Sequence, residues 1–221
     1  MSQDNIASRL DAIRVTLPDG VGLVAVSKFH PAEAVMEAYE AGQRAFGESR
    51  VQELEQKVDR LPSDIRWHFI GHVQTNKLSR LIGRVALIES VDSLRLLSMI
   101  DRLSAERGVV TRVLMQVHVA AEETKFGFDP DELVGWFASR GFESLQATHI
   151  CGIMGMATNT DDEKRVRDDF RRIADTRRRI LEAAPDLRGF DTVSMGMSDD
   201  YPAAIECGST LVRVGTAIFG P

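Results

Sequence analysis

The sequence predicts an α/β protein with one (β/α)8 barrel of the TIM type, and two observations lead to this prediction. Eight short apolar runs recur along the 221 residues, and amphipathic helical patterns separate them. A chain of this length is large for an average domain but normal for one closed α/β barrel. We therefore expect residues 1–221 to form a single barrel domain. A doubly wound open sheet is the competing architecture.

The first residues predict a helix that precedes the barrel. Apolar residues at positions 6, 10, 13 and 17 form the stripe of an amphipathic helix, expected over about residues 4–16. Pro18-Asp19-Gly20 ends this helix, because proline and glycine both interrupt helical structure. Residues 1–19 are therefore interpreted as a leading helix and turn.

Strand and helix patterns then alternate to the end of the chain. Residues 23–26 have the pattern of a buried strand, Pro31 suits the first position of the following helix, and Gly42 suits its end. The eight strands are expected at residues 23–26, 44–47, 66–71, 85–90, 112–119, 146–154, 192–195 and 211–214. Further helices are expected near residues 50–60, 75–83, 93–107, 130–140, 161–184 and 199–207.

A closed barrel of this order places the two ends of the chain close together. Side chains at the carboxyl ends of the strands form the active face, so Lys28 and Gly215-Thr216 are expected on one face. Only five residues follow Thr216, so no eighth outer helix is expected. We expect the leading helix to cover the seam between the first and last strands instead.

The charge balance argues against nucleic-acid and membrane partners. The chain has 27 basic and 33 acidic residues, a net charge of −6. The arginine-rich stretch 165–179 is interleaved with acidic residues and carries an apolar stripe, which is typical of a solvated helix face. No apolar run approaches the roughly 18 residues that span a bilayer, and Asp4 and Asp11 lie where a signal peptide would be apolar. We expect a cytoplasmic monomer.

The two cysteines predict neither a disulfide framework nor a metal site. Cys151 and Cys207 lie far apart, and no histidine or cysteine flanks either at metal-ligand spacing. Both are interpreted as small buried hydrophobic residues. Cys207 has a second interpretation as a mildly reactive thiol at a helix end, because Gly208 follows it as a natural cap.

Two short segments at opposite ends of the chain point to one cofactor. Lys28 follows an apolar strand and offers a desolvated amine to an aldehyde, although such a lysine is ordinarily only the first solvated residue of a loop. Gly215-Thr216 follows the last strand and offers backbone amides to a phosphate, although Gly-Thr is also a common turn. An aldehyde and a phosphate together indicate pyridoxal 5′-phosphate.

The segment 194–200 adds a second candidate for the phosphate. Gly196 permits a tight turn, and Ser198 is placed to cap a helix that begins at Asp199. A helix that starts after a glycine turn binds anions, although a plain helix cap explains the same pattern. Asp199 and Asp200 would repel a phosphate, so both are expected to point away from it.

Two further loops are candidates for the rim of the site. His68 is interpreted as a hydrogen-bonded histidine of the barrel and Thr75 as a helix cap, with Gln74 or Asn76 at the rim. The loop of residues 122–125 could bring a second amine, Lys125, to the mouth of the barrel, although most loop lysines only contact water.

Seven short segments occur in a fixed order along the chain. They are Val24-Ala25-Val26-Ser27-Lys28, Phe46-Gly47-Glu48, His68-Phe69-Ile70-Gly71, Gln74, Asn76-Lys77, Ser194-Met195-Gly196-Met197-Ser198-Asp199-Asp200 and Arg213-Val214-Gly215-Thr216-Ala217-Ile218-Phe219-Gly220. Together they resemble the YggS/PROSC family of pyridoxal phosphate homeostasis proteins. The resemblance runs from about residue 20 to 221 with the motifs in the same order, and it is highly specific. It implies an alanine racemase-like barrel that holds pyridoxal phosphate and influences its supply, with no assigned substrate.

The resemblance also implies the roles of individual residues. Lys28 would form the internal aldimine with the cofactor. Ser198 and the Met197 amide, with Gly215 and Thr216, would hold the phosphate. Arg213 would face the pyridine nitrogen and disfavour its protonation, which weakens the ring as an electron sink and suits storage better than carbanion chemistry.

The chain departs from the family pattern at two positions. Ser49-Arg50 stands where the family usually has Asn-Tyr, which puts in doubt an amide contact from that loop. His118 stands where the family usually has asparagine on the fifth strand, so the family role of that residue is not transferred.

Three classes of function compete at this stage. The leading hypothesis is a carrier of pyridoxal phosphate that serves apo forms of enzymes needing this cofactor, without turnover. The alternative is an amino-acid racemase, which needs a second base such as a tyrosine, and the chain offers Tyr39 and Tyr201. An interaction protein without a cofactor would leave the combination of Lys28, Ser198 and Thr216 unexplained.

Overall fold

The computed structural model describes residues 5–121 and 126–220 and has a closed barrel of eight parallel strands at its centre. The strands follow one another around the barrel in sequence order, and β1 closes it against β8 through the pairs Leu23 with Val212 and Val24 with Arg213. The strands are β1 Gly22–Val26, β2 Ala45–Glu48, β3 Arg66–Phe69, β4 Leu87–Val91, β5 Thr111–Gln116, β6 Thr148–Met154, β7 Thr192–Ser194 and β8 Leu211–Val214. The predicted barrel is confirmed, and the open sheet is wrong because the first and last strands pair.

Helices surround the barrel in the predicted order. They are α1 Ile6–Arg14, α2 Ala32–Glu40, α3 Val51–Val58, α4 Leu94–Glu106, α5 Pro130–Ala138, α6 Glu163–Ala183, α7 Tyr201–Glu206 and α8 Thr216–Phe219, with 3-10 helices at Thr75–Arg80 and Gly141–Ser144. Pro31 lies at the cap of α2 rather than at its first position, and Gly42 follows the end of α2 with a φ of +87°. The prediction that Thr75 caps a helix is wrong. Thr75 is the first residue of the 3-10 helix, and Gln74 lies at the cap position.

The leading helix covers the seam of the barrel, as predicted. Ile6, Leu10 and Ile13 of α1 are buried, and α1 packs between α2 and α8. The amide of Ile6 donates to Glu37 Oε1 of α2 at 3.1 Å, which fixes the first turn of α1. The chain also forms one helical turn after β8, because four residues are enough for a single turn. The last strand is therefore followed by α8 rather than by a full outer helix.

The interior of the barrel changes from apolar to polar along its axis. Alternate residues of a strand face the same side, so Leu87 of β4 and Glu89 lie on one side, as do Leu211 of β8 and Arg213. Leu87 and Leu211 belong to a small apolar cluster made by strand residues alone. Glu89 and Arg213 lie two residues further toward the carboxyl ends of their strands. A charged layer therefore lies above an apolar one, directly beneath the mouth of the barrel.

The arginine-rich segment is a solvated helix face, as predicted. Its apolar residues Val166, Phe170 and Ile173 are buried under α6. Five of its seven arginines pair with acidic residues, as Arg171 does with Asp168 at 2.8 Å, and the other two donate to backbone carbonyls. Among the described residues, no helix has both the length and the apolar character that crossing a membrane requires.

The two cysteines lie in different environments. Cys151 is fully buried in β6, as predicted. Cys207 is only half-buried, because it lies at the exposed end of α7, where Gly208 follows with a φ of +96°. The burial predicted for Cys207 is therefore wrong, and its position at a capped helix end is confirmed.

Candidate ligand site at the mouth of the barrel

Three segments that are distant in sequence meet at the carboxyl end of the barrel. Strand β8 pairs with β1 on one side and with β7 on the other. A Cβ atom added to Gly215 would lie 3.2 Å from the carbonyl oxygen of Val26, two residues before Lys28. The amide of Arg213 donates to the carbonyl of Gly196 in the turn after β7 at 3.0 Å. The segments that carry Lys28, Ser198 and Gly215 therefore lie side by side.

The turn after β7 is held by a hydroxyl rather than by a helix. Gly196 has a φ of +95°, and a Cβ atom there would lie 2.7 Å from Ala204 Cβ, so glycine is required. The Ser198 Oγ accepts hydrogen bonds from the amides of Gly215 at 3.3 Å and Ala217 at 3.4 Å. The prediction that Ser198 caps a helix starting at Asp199 is wrong, because α7 begins at Tyr201. Its hydroxyl bridges two turns instead.

The Met197 amide already has an anionic partner within the chain. It donates to Asp200 Oδ1 at 2.6 Å, because the turn brings this amide next to the carboxylate three residues later. Burial raises the pKa of the Asp200 carboxyl, while the Met197 amide and the charge of Arg213 act in the opposite direction. Asp200 therefore points toward the Met197 amide, one of the donors that the resemblance assigns to the phosphate.

Arg213 is buried at the base of the mouth, with 4% of its surface exposed. Its guanidinium donates to Ser194 Oγ at 2.5 Å and to the carbonyl of Gly155 at 3.0 Å, and it lies 3.7 Å from Glu89 Oε2. Burial lowers the pKa of Arg213, and the nearby Glu89 carboxylate opposes that change. These contacts fix the plane and direction of the guanidinium.

Glu89 is the centre of a polar network that sequence reasoning missed. His68 Nδ1 lies 2.6 Å from Glu89 Oε1, and Ser194 Oγ donates to Glu89 Oε2 at 2.5 Å. Burial by itself would raise the pKa of Glu89, but the His68 hydrogen bond and the charges of His68 and Arg213 hold it below its ordinary value. His68 is therefore a hydrogen-bonded histidine of the barrel, as predicted. A glutamate inside a predicted apolar strand was the signal for this network.

Lys28 lies on the loop beyond β1 and is exposed. Its amine is 5.8 Å from the centre of the Phe29 ring, which is itself 64% exposed. The expectation that the Lys28 amine is desolvated is wrong, because β1 ends at Val26 and Lys28 lies in the exposed turn that follows Ser27. Phe29 has a φ of +69°, so the backbone next to Lys28 is in the left-handed region.

A buried charged cluster behind Lys28 was also missed. Lys57 Nζ of α3 lies 2.5 Å from Glu48 Oε1 of β2 and donates to the carbonyl of Ser27 at 2.7 Å. The Ser27 hydroxyl donates to the same Glu48 oxygen at 2.7 Å. The Lys57 side chain is only 7% exposed, and that of Glu48 is fully buried. The spacing of these residues gave no signal, because a helical lysine is ordinarily solvated.

The predicted rim residues line neighbouring cavities. Gln74 borders a cavity of about 430 Å³ and another of about 630 Å³, while Asn76 borders the smaller one and Lys77 the larger. Ser49 and Arg50 also line the larger cavity. The second candidate amine, Lys125, and the rest of residues 122–125 lie outside the described residues.

The two tyrosines of the chain are bonded to other side chains. Tyr201 Oη lies 3.0 Å from Thr16 Oγ1, and Tyr39 donates to Asp64 Oδ1 at 2.7 Å. His118, which departs from the family pattern, is half-buried, and its amide donates to the carbonyl of Phe128 at 2.9 Å.

The groups at the mouth fit a phosphorylated aldehyde. The backbone amides of Gly215 and Ala217 converge on one oxygen atom, that of Ser198, so their N–H groups already share a common target. Amides and hydroxyls are the donors that phosphate oxygens accept, and Thr216 is exposed beside them. Lys28 is an exposed amine of the kind that reacts with aldehydes, and Arg213 is a fixed, buried cation at the base of the mouth.

The fold and this site define a class of protein. The whole chain, residues 1–221, matches the family model described as "Alanine racemase, N-terminal domain". Among structures, an alanine racemase of Clostridium difficile has the same fold with a TM-score of 0.78 at 16% identity, and the match covers 99% of this chain and 57% of that one. The barrel is therefore of the alanine racemase N-terminal type.

Nearer relatives define the family within this class. The chain is 36% identical over 205 residues to the pyridoxal phosphate homeostasis protein of Haemophilus influenzae, covering 90% of this chain and 84% of the relative. It is 38% identical over 203 residues to the protein of that name in Aquifex aeolicus, covering 90% and 86%. The structure of PipY of Synechococcus elongatus with PLP bound matches with a TM-score of 0.90 at 38% identity over 98% of this chain and 100% of that one. The chain belongs to the YggS/PROSC family of pyridoxal phosphate homeostasis proteins.

Proposed function

We propose that this chain binds pyridoxal 5′-phosphate at the mouth of the barrel, holds it through Lys28 and supplies it to other proteins without turning over a substrate. The observation that carries this proposal is the meeting of three segments, those of Lys28, Ser198 and Gly215, at the carboxyl end of the barrel. Relatives named pyridoxal phosphate homeostasis proteins and the PLP-bound PipY support it.

Each site residue has a role that its chemistry allows. When bound, the cofactor would supply an aldehyde, and Lys28 would hold that end of it through its amine. The Ser198 and Thr216 hydroxyls and the amides of Met197 and Gly215 donate to the phosphate. Arg213 faces the pyridine nitrogen. The Met197 amide must leave Asp200, and the Gly215 amide must leave the Ser198 oxygen, before either can donate to the phosphate, because an N–H group has one hydrogen to donate.

The environment of Arg213 favours storage of the cofactor over its use in catalysis. A guanidinium only donates hydrogen bonds and does not give up its proton readily, and Glu89 and Ser194 fix this one in place. Arg213 would therefore disfavour protonation of a pyridine nitrogen placed beside it, and a ring in that state would withdraw electrons weakly. Such a ring suits storage and delivery.

The racemase alternative lacks a free second base among the tyrosines. A two-base racemisation needs a proton-accepting group on the opposite side of the substrate. The hydroxyls of Tyr39 and Tyr201 are engaged with Asp64 and Thr16. We therefore propose a carrier rather than a racemase. We further propose, from the sequence expectations alone, a cytoplasmic monomer whose partners are pyridoxal phosphate and the apo-enzymes that receive it.

The attachment point can be tested by chemical reduction. Borohydride reduction of the native protein with bound cofactor, followed by peptide mass mapping, is expected to place the adduct on the peptide containing Lys28. Lys28→Arg should remove that adduct, whereas Lys77→Arg, a matched change on the same barrel face, should retain it. An adduct found mainly on Lys77 or Lys125 in the wild-type protein would overturn the assignment.

A further inference from the structure

The backbone on both sides of Lys28 is held from one helix. On one side, Lys57 Nζ donates to the carbonyl of Ser27 at 2.7 Å. On the other side, the amide of Phe29 donates to Glu53 Oε2 at 2.8 Å. Lys57 and Glu53 both belong to α3, so a single rigid element contacts the residues immediately before and after the lysine.

The contact on the Ser27 side involves a buried ion pair, whose desolvation costs free energy. Lys57 and Glu48 form an ion pair at 2.5 Å with side-chain exposures of 7% and 0%. The second carboxylate oxygen of Glu48, Oε2, is buried and has no hydrogen-bond partner among the described residues. Burial raises the pKa of Glu48, against the opposing effects of Lys57 and Ser27. A buried ion pair with an unpaired oxygen adds little net stability, because desolvation offsets the attraction.

The contact on the Phe29 side supports a backbone conformation that is unfavourable for this residue type. Phe29 has a φ of +69° although it is neither glycine nor asparagine, a conformation that needs outside support. The Glu53 carboxylate supplies that support through the Phe29 amide. Its other contact, with Arg50 at 3.3 Å, keeps it in reach of the loop.

We propose that Lys57, Glu48 and Glu53 are positioning residues that hold the Lys28 amine in the geometry required for covalent attachment of the cofactor. The inference rests on the proposed function, since it takes Lys28 as the attachment point. A reacting group displaced by about 1 Å commonly loses one to two orders of magnitude in rate. A clamp on residues 27 and 29 limits that displacement for a side chain that is itself exposed.

The Glu53 contact is tested by a pair of substitutions. Glu53→Gln keeps an amide oxygen to accept from Phe29, whereas Glu53→Ala removes the acceptor, and both lose the Arg50 ion pair equally. We expect Glu53→Ala to slow attachment at Lys28, measured by reduction and peptide mapping over time, by about tenfold. Glu53→Gln should stay within about twofold of the wild type. Affinity for pyridoxine 5′-phosphate, which carries the phosphate but no aldehyde, should be unchanged in both.

The buried pair is tested by removing both of its charges together. Lys57→Met with Glu48→Gln avoids leaving one charge unpaired, and it should again slow attachment about tenfold while pyridoxine 5′-phosphate binds as before. Arg60→Met with Glu33→Gln is the control, because that pair has the same chemistry at 3.1 Å but is exposed. If the buried double variant does not fold, the Glu53 pair of variants decides the question.

The outcomes separate the two proposals. Wild-type attachment at Lys28 with equal rates in Glu53→Ala and Glu53→Gln would overturn the positioning role and leave the proposed function intact. No attachment at Lys28 in the wild type would overturn both. A loss of pyridoxine 5′-phosphate affinity that equals the loss of attachment rate would show a general distortion of the site and would also overturn the positioning role.

Discussion

The Ser198 hydroxyl oxygen lies 3.3 Å from the amide nitrogen of Gly215, and this hydrogen bond joins the turn after β7 to the turn after β8. The two residues are brought together because β7 and β8 are neighbouring strands in the barrel. The donors proposed for the phosphate therefore form one connected group. Their contributions can be separated from that of Lys28.

Binding of the cofactor phosphate is expected to depend on the hydroxyls of both Ser198 and Thr216. Ser198→Ala with Thr216→Val should weaken retention of pyridoxal phosphate, because hydrogen bonds to a charged group contribute roughly 1.5 to 3 kcal/mol each. That corresponds to more than about tenfold per hydroxyl in the dissociation constant, measured by equilibrium dialysis. Thr75→Val, at the exposed first residue of the 3-10 helix that follows β3, is the control. An unchanged constant in the double variant would place the anion elsewhere.

Asp200 is expected to oppose phosphate binding. Its carboxylate occupies the Met197 amide and carries the same sign of charge as the ligand. Asp200→Asn keeps an oxygen that can accept from the Met197 amide but removes the charge. It should tighten binding of pyridoxine 5′-phosphate about threefold, which is the effect of a unit charge roughly 6 Å from the phosphate in a water-like medium. Asp199→Asn, at the neighbouring exposed residue, should have a smaller effect. Weaker binding in Asp200→Asn would show that the carboxylate instead organises the site.

Glu89 is expected to be essential for stability because it balances a buried cation. Glu89→Gln removes the main compensating charge of Arg213, with only Asp200 left to act on it, and should lower the free energy of unfolding by about 3–5 kcal/mol. Adding Arg213→Met should recover part of that loss, since no buried charge is then left unpaired. Urea unfolding of the wild type, of Glu89→Gln, of Arg213→Met and of the double variant measures both effects. Additive losses in the double variant would contradict coupling between these two residues.

His30 is expected to give a defined pH dependence. Burial, and then the charge of Lys57, lower its pKa from the ordinary value of 6.5, and its ring stacks on Phe219 with centres 5.0 Å apart. In the window between the lowered pKa and 6.5 the unfolded chain binds more protons, so stability should rise with pH there and fall as the solution is acidified. His30→Gln should remove this part of the slope. An NMR titration of His30 that gave a pKa above 6.5 would contradict the sign.

The carrier and racemase hypotheses predict different behaviour toward amino acids. With a weak electron sink and both tyrosines engaged, the holo-protein should give little α-deuteration of L- or D-alanine in heavy water. An apo-enzyme mixed with it should nevertheless acquire the cofactor. Rapid deuteration that Tyr201→Phe abolishes would favour the racemase instead, because that change removes the hydroxyl now bonded to Thr16.

The sequence by itself determined the order of the elements and the position of the candidate site along the chain. Strand β8 was predicted at its observed bounds, 211–214, and β1 within one residue, because buried strands have a local pattern of apolar residues bounded by turns. Lys28 and Gly215 could be assigned to one face for the same reason, since a barrel places all strand ends together. The residues at 75–83 were harder, because a short 3-10 helix and an α-helix share much of their local pattern.

Only the tertiary structure decided which polar groups became partners. Glu89 meets Ser194 across 105 positions of sequence and lies 3.7 Å from Arg213, and Lys57 reaches Ser27 across 30 positions. Ser198 was expected to cap a helix and bonds the next turn instead. The physical reason is that propensity and periodicity depend on near neighbours, whereas a buried donor bonds whichever acceptor the closed barrel brings within reach.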